Sequence, residues 1–394
     1  MNIELSREQK MIVESAMEVG KKFGPDYWYE QDNNPNESFP WEFFRTIGDV
    51  GIAGLGIPEE YGGSGLGLTE LVIAIEALCA NGGGVAPAIT ILLGSIFGGT
   101  AIMRHGNEQQ KKKYLPKIAK GKMCTSLGVT EADAGTNTLD IRTVARKEGD
   151  DYIIDGSKIF ISGIEDADIL VLLARTADKG DDAKKSVGLS LFLVELPNSS
   201  IKYSEIQKHG IQFIKTYELG IDGLRVPQSA LLGEKDMGWY HVLDTLNPER
   251  IVAAAGSIGC GRLSIKTAAN YSKKRSIFNR PIGSNQGVQF PLASAYSKLE
   301  CAHLAMLKAA SLYDKKVDSK QVGDIANMAK YASVEAAIEA VYHSMQTLGG
   351  YGFAKEYHIE RWWRDLQIVR VAPIAQQLTL SYISEHVLGL PRSF

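Results

Sequence analysis

The chain has 394 residues, with 43 lysines and arginines against 46 aspartates and glutamates and a formal net charge of −3. That balance excludes a general nucleic-acid footprint, although a local basic patch could still take a phosphorylated small molecule. Apolar residues at 44% exclude disorder of the whole chain, and the length predicts two or three packed units.

The first twenty residues, MNIELSREQKMIVESAMEVG, lack a basic opening followed by an apolar stretch. They read as an amphipathic helix with Ser6 as its cap rather than as a secretory peptide. IVESAMEVGKKF, ESFPWEFFRTIGDVGI and ELVIAIEALCA carry apolar positions near helical spacing, so residues 1 to about 120 read as helical. Glycines interrupt this pattern at Glu59–Gly67 and Gly82–Gly84, either as a loop with a purpose or as plain connections. The most apolar stretch, VAPAITILLGSIFGG, is shorter than the roughly 20 apolar residues of a bilayer span. A cytoplasmic protein with no membrane-spanning segment is the expectation.

From about Cys124 to Gly233 the period changes. Tyr152–Gly156 and Lys158–Ser162 flank an Asp-Gly signal and predict a hairpin. Asp168–Arg175, Gly188–Glu195 and Thr216–Asp222 are further strand candidates, Asp178–Lys185 is a polar loop, and Val226-Pro227 ends the region. Five or six strands over this length predict a small, largely antiparallel β domain. Helices return from about Gly238. Arg250–Tyr271, Gln289–Lys316 and Val322–Leu348 are long and alanine-rich, and a last helix is expected over Ile374–Val387. Long adjacent helices with short breaks argue a bundle.

Several segments carry residues suited to chemistry. Leu127–Thr138 (LGVTEADAGTNT) offers amides, hydroxyls and a carboxylate to a polar ligand, or is an ordinary polar loop. It lacks the glycine spacing of a dinucleotide fingerprint. Phe160 and Ser162 set an aromatic face beside a hydroxyl, as a planar ring requires and as a plain core strand also allows. In RSIFNRPIG, Arg275 and Phe278 are three apart and could share one side of a helix end, a guanidinium for phosphate beside a ring. The alternative is a basic helix terminus suited to its dipole. QTLGGYG at Gln346–Gly352 could let amides approach an anion or could simply stop a helix.

Pro248 fits a helix N-terminus, which would put Glu249 in the first turn of a strongly apolar helix. There a carboxylate is either a dipole-stabilised cap or, if desolvated, a base with a raised pKa. The seven histidines form no HExxH or compact ligand cluster, and Ser257 is in no GxSxG elbow. The four cysteines show neither metal-ligand spacing nor a disulfide framework. Trp362-Trp363 reads as core or interface packing.

Taken in order, these segments resemble the acyl-CoA dehydrogenase family across nearly the whole chain. Leu127–Thr138 looks like the family's threonine–acid–glycine–serine segment and Phe160–Ser162 like its aromatic–Ile–Thr/Ser flavin segment. Arg275–Gly283 with Gln286, then Gln346–Gly352, resemble later cofactor motifs, and Glu360–Asp365 resembles the segment before the last helix. The resemblance implies an α+β fold: an N-terminal helical domain (1–120), a central antiparallel β domain (121–236) and a C-terminal four-helix bundle (237–394). It implies FAD as cofactor, contacted by Leu127, Thr130, Phe160 and Ser162. Arg275, Phe278, Gln286, Gln346, Gly349 and Gly350 would cradle a neighbouring subunit's cofactor in a homotetramer or homodimer. Thr136 and Arg250 would approach the acyl-CoA chain.

One departure matters. Many relatives carry the catalytic glutamate in a Tyr-Glu-Gly-Thr-like stretch before the final helix. Here that stretch is Val371-Ala372-Pro373-Ile374-Ala375-Gln376, with Pro373 at the carboxylate position and the nearby Thr/Ser pair missing. A smaller set of relatives places the base earlier, directly before an arginine, and Glu249-Arg250 stands there. Glu360 and Glu385 match neither position. The resemblance then implies dehydrogenation of an acyl-CoA to a trans-2-enoyl-CoA, with electrons passed to an electron-transfer flavoprotein. An enoyl-CoA reductase, a CoA-thioester desulfinase or lyase, and a non-catalytic acyl-CoA-binding protein are the alternatives on the same scaffold. An acyl-CoA oxidase ranks below them, because such chains are usually longer.

Overall fold

The computed structural model describes residues 4–34, 38–177 and 186–392, so the polar loop expected at 178–185 lies outside the described residues. The N-terminal helices are α1 (Arg7–Lys22), α2 (Pro25–Asn33), α3 (Trp41–Asp49), α4 (Leu68–Asn81), α5 (Ala86–Ile91), α6 (Phe97–His105) and α7 (Glu108–Ala119). Ser6 caps α1 as expected. Its hydroxyl accepts from the Gln9 amide, and the Gln9 side chain accepts from the Ser6 amide. A π turn over Leu92–Ile96 joins α5 to α6, making a 20-residue apolar helical run. By length and composition this run could cross a membrane, so the sequence-based expectation of too short a stretch fails. Most of it is buried inside the protein, which accounts for its apolar character.

The central sheet contains β1 (Thr125–Gly128), β2 (Val144–Glu148), β3 (Asp151–Ser162), β4 (Ile169–Arg175), β5 (Leu189–Glu195), β6 (Ile201–Glu205), β7 (Thr216–Pro227) and β8 (Leu231–Leu232). Its order is β6-β7-β3-β2-β4-β5-β8, mostly antiparallel, with β1 parallel to β4 in the register Thr125↔Ile169. The hairpin expected at Asp155-Gly156 is absent. β3 runs straight through it with a register shift against β7. A Cβ on Gly156 would come within 2.5 Å of the Thr143 hydroxyl oxygen, so this glycine permits close approach inside a bulge rather than a turn. The turn lies earlier, between β2 and β3, where Gly149 takes φ 62°.

The C-terminal part contains α8 (Gly238–Lys274), a small hairpin of β9 (Ser276–Ile277) and β10 (Arg280–Pro281), α9 (Gln286–Asp314), α10 (Ser319–Leu348), α11 (Gly350–Phe353), α12 (Ile359–Val371) and α13 (Gln376–Tyr382), which runs on into a π turn over Ile383–Val387. α8 packs against α9 and α10 and, on its other side, against α4 and α5. Glycines make the second contact close. A Cβ on Gly256 would meet the Ala88 Cβ at 2.4 Å, and one on Gly259 would meet the Cys79 Cβ at 2.5 Å.

Candidate active site

The loop after β1 is tied to β3 by its backbone. Ile159 donates its amide to the Thr130 carbonyl at 2.9 Å, and the Ser126 hydroxyl donates to the Ser162 carbonyl at 2.8 Å. The Ser162 hydroxyl lies 3.1 Å from that of Thr216, a neighbour that the sequence reading missed. Leu127, Thr130 and Ser162 are half-buried there, while Thr136 is exposed farther along the loop. Phe160 holds φ 58° and leaves 63% of its surface exposed. A large side chain held in the left-handed region over open surface is strained, and such strain clusters at functional sites.

Beneath this loop Glu131 accepts from the Arg142 amide (2.6 Å), the Thr143 amide (3.0 Å), the Thr143 hydroxyl (2.6 Å) and Lys158 Nζ (2.9 Å). Burial pushes the Glu131 carboxyl up, but Lys158 and the remaining donors outweigh it and hold the group below its ordinary range. Burial pushes Lys158 down to about 8, against the pull of Glu131.

The second predicted group lies on the C-terminal domain. Arg275 is the cap residue of α8, and its carbonyl accepts from the Ile282 amide at 2.8 Å. Phe278 is on the β9–β10 hairpin at φ 52° and is 94% exposed. The two residues therefore do not share a helix side as expected, because the helix ends between them. Gln286 opens α9. Gln346 is in the last turn of α10, and Gly349, at φ 59°, ends that helix before Gly350. All of these are exposed. Among the described residues Arg275 has no ion pair, and no hydrogen bond, ion pair or ring contact joins this group to Phe160 and Ser162.

Glu249 is placed differently from the expectation. α8 begins at Gly238, so Pro248 lies in its interior and Glu249 is about three turns from its N-terminus. Dipole stabilisation is confined to the first turn, which removes the capping alternative. The side chain is 6% exposed and takes part in no hydrogen bond or ion pair among the described residues. Burial raises its pKa to about 8, with Arg250 and Lys330 pulling the other way. By contrast, Glu360 is held by Arg364 at 2.8 Å.

Around Glu249 stands a set of polar groups of which the sequence reading found only Arg250. Arg250 Nη1 donates to Asn247 Oδ1 at 3.0 Å, and its buried Nε has no partner among the described residues. Lys330 Nζ donates to the Ile374 carbonyl at 2.9 Å. The Tyr382 hydroxyl donates to Asp324 at 2.9 Å. The recoverable signal is spacing. Asp324, Asn327 and Lys330 recur at three-residue intervals on α10, among alanines.

The apolar run connects these regions. Thr125 donates its hydroxyl to the Leu93 carbonyl at 2.8 Å and accepts from the Gly98 amide at 3.0 Å, while α5 packs on α8. The start of β1 and the helix bearing Glu249 thus lean on one helical run.

Residues 6–122 match the N-terminal domain of acyl-CoA dehydrogenase, residues 126–224 its middle domain and residues 236–388 its C-terminal domain. The acyl-CoA dehydrogenase FadE12 of Mycobacterium tuberculosis is 34% identical over 390 residues, covering 99% of this chain and 98% of that protein. A solved glutaryl-coenzyme A dehydrogenase glutaryl-CoA complex superposes with a TM-score of 0.91 at 30% identity, covering 100% of this chain and 98% of that one. A chain solved in work on the electron transferring flavoprotein of Acidaminococcus fermentans gives a TM-score of 0.90 at 31% identity, covering 98% of this chain and 100% of that one. Three domain matches in order, whole-chain relatives and the shared architecture lead to one conclusion: the chain belongs to the acyl-CoA dehydrogenase family and is an FAD-dependent enzyme.

Proposed function

We propose that the enzyme removes two hydrogens across the α,β bond of an acyl-CoA thioester, giving a trans-2-enoyl-CoA, with Glu249 as the base. The observation that carries this reading is the state of Glu249: buried, unpaired and raised to about 8. A carboxylate in that state is a stronger base than one in water and is poised near neutral pH.

The donor set suits FAD. Phe160 and Phe278 present exposed rings held at positive φ, and Arg275 presents a guanidinium that pairs with no carboxylate among the described residues. Leu127, Thr130, Phe160 and Ser162 would hold the flavin of their own subunit. Arg275, Phe278, Gln286, Gln346, Gly349 and Gly350 would hold the diphosphate and adenine of a second copy, in a homodimer or homotetramer. Their placement on a different domain from the first group supports that division. Bound FAD supplies the acceptor for the β hydrogen and its electron pair. Glu249 takes the α proton onto a carboxylate oxygen and thereby becomes neutral in its apolar setting. Asn247 fixes the Arg250 guanidinium, which with Thr136 would line the path of the thioester chain. Electrons would leave to an electron-transfer flavoprotein, a partner supported by the Acidaminococcus neighbour.

The test is anaerobic bleaching of the flavin by a panel of short, branched, long and dicarboxylic acyl-CoA thioesters, repeated with Glu249→Gln. The expected result is bleaching by at least one thioester in the wild type and a loss of roughly 10³-fold or more in the variant, with FAD content unchanged. Equal rates in both proteins would remove Glu249 from its role.

A further inference from the structure

Lys330 is 2% exposed and takes part in no ion pair among the described residues. An ammonium withdrawn from water with no carboxylate in ion-pair contact is costly. A methionine would fill a similar volume without that cost. What methionine would not supply is positive charge and a donor, and both have a definite address here. The donor goes to the carbonyl of Ile374 at 2.9 Å. Ile374 follows Pro373, in the stretch between α12 and α13 where many relatives carry their base. The charge faces Glu249 and Arg250 of α8, as well as Glu335 of its own helix. Glu249 in turn is faced by Arg250 and Lys330, and Arg250 is faced by Tyr382 of α13.

We propose that Lys330 is a positioning residue for the Glu249 base: its ammonium clamps residues 373–375 through the Ile374 carbonyl and provides the charge that lets the Glu249 carboxylate ionise inside an apolar helix interface. The proposal rests on Glu249 being the base. The directions agree with it. Burial drives Glu249 up to about 8, and Lys330 is one of the two cations that oppose the rise. Burial, followed by the Arg250 charge, drives Lys330 down to about 8. With a neutral residue at 330, Glu249 ionises at higher pH.

The experiment measures the rate constant of anaerobic flavin reduction against pH, using the thioester that bleaches the wild-type holoenzyme fastest. Lys330→Met and Lys330→Gln remove the charge, the latter keeping a donor for Ile374. Lys330→Arg keeps the charge. The rising limb should move up by about one unit in both neutral variants, a tenfold loss at any pH below it, and stay within about 0.3 unit in Lys330→Arg. Superimposable limbs in wild type and the neutral variants overturn the proposal, and so does an arginine variant displaced as far as methionine.

A measurement that needs no cofactor guards against loss of FAD. In chemical denaturation, the stability that Glu249→Gln gains over the glutamate grows with pH from the ordinary carboxylate range up to the pH at which Glu249 ionises in the folded protein; that upper limit should rise in the Lys330→Gln background, and an unchanged limit again overturns the proposal. The two failures are distinct. Bleaching that survives Glu249→Gln removes the base itself, whereas an inactive Glu249→Gln with unmoved Lys330 profiles removes only the clamp.

Discussion

The ammonium of Lys158 and the carboxylate of Glu131 meet at 2.9 Å beneath the loop that carries Thr130 and Thr136, and both side chains are withdrawn from solvent. The pair joins β3 to that loop across 27 residues of sequence. Its net worth is small beside the cost of breaking it, because one partner left alone is an uncompensated buried charge. Lys158→Met should therefore destabilise the protein by about 3–5 kcal/mol in guanidinium denaturation. The double variant Glu131→Gln, Lys158→Met should be more stable than Lys158→Met alone. If the double variant is the weaker of the two, the charge argument fails and packing is the cause.

That pair also shows where legibility in the sequence ends. The long helices of the C-terminal domain were readable, because apolar spacing persists over many turns. The ordered motifs were readable because each is a short run. Two local signals misled. Pro248 read as a helix start, yet Trp239, Val242 and Leu246 already carry helical spacing ahead of it. Packing of α8 against α4, α9 and α10 outweighs the proline penalty of about 3 kcal/mol. Asp155-Gly156 read as a turn, whereas the glycine serves a close approach to Thr143 within β3. Contacts between distant segments had no local signature. The parallel pairing of β1 with β4, the Thr216 hydroxyl beside Ser162 and the Lys330 bond to Ile374 each join residues that only the folded chain brings together. A single lysine in an alanine-rich helix carries no local mark of burial, so the role of Lys330 is not legible in the sequence.

Phe160 separates stability from binding. Its φ of 58° costs about 1–2 kcal/mol for a residue with a side chain, and its exposed ring gains little from burial. Phe160→Gly relieves the strain but adds freedom to the unfolded chain, about 0.5–1 kcal/mol in the opposite direction. The apoprotein should then melt within a few degrees of the wild type. Affinity for FAD, read from quenching of flavin fluorescence, should fall about three- to tenfold through loss of the aromatic surface. A large drop in apoprotein stability with unchanged FAD affinity would make Phe160 a folding residue instead.

Asp365 gives the fold a pH dependence of its own. This carboxylate of α12 accepts from the Ile211 amide at 2.7 Å, while Asp32 of α2 accepts from the Phe213 amide at 3.1 Å. Together they hold the segment between β6 and β7 against helices from both ends of the chain. Burial, followed by the charge of Asp32, raises Asp365 to about 7 from an ordinary 3.8, against the pull of the Ile211 amide, Arg361 and Arg364. Between those two values the folded protein binds more protons than the unfolded chain, so this group makes stability fall as pH rises across that window. Burial raises Asp32 as well, so the two carboxylates titrate as a pair and share this pH dependence. Asp365→Asn keeps an oxygen for the Ile211 amide and cannot ionise. Urea denaturation from pH 5 to 8 should therefore show a declining stability in the wild type and a flatter profile in the variant. The variant should become the more stable protein at the alkaline end. Parallel profiles would mean that Asp365 keeps its ordinary pKa and that the Arg361 and Arg364 charges fully offset its burial.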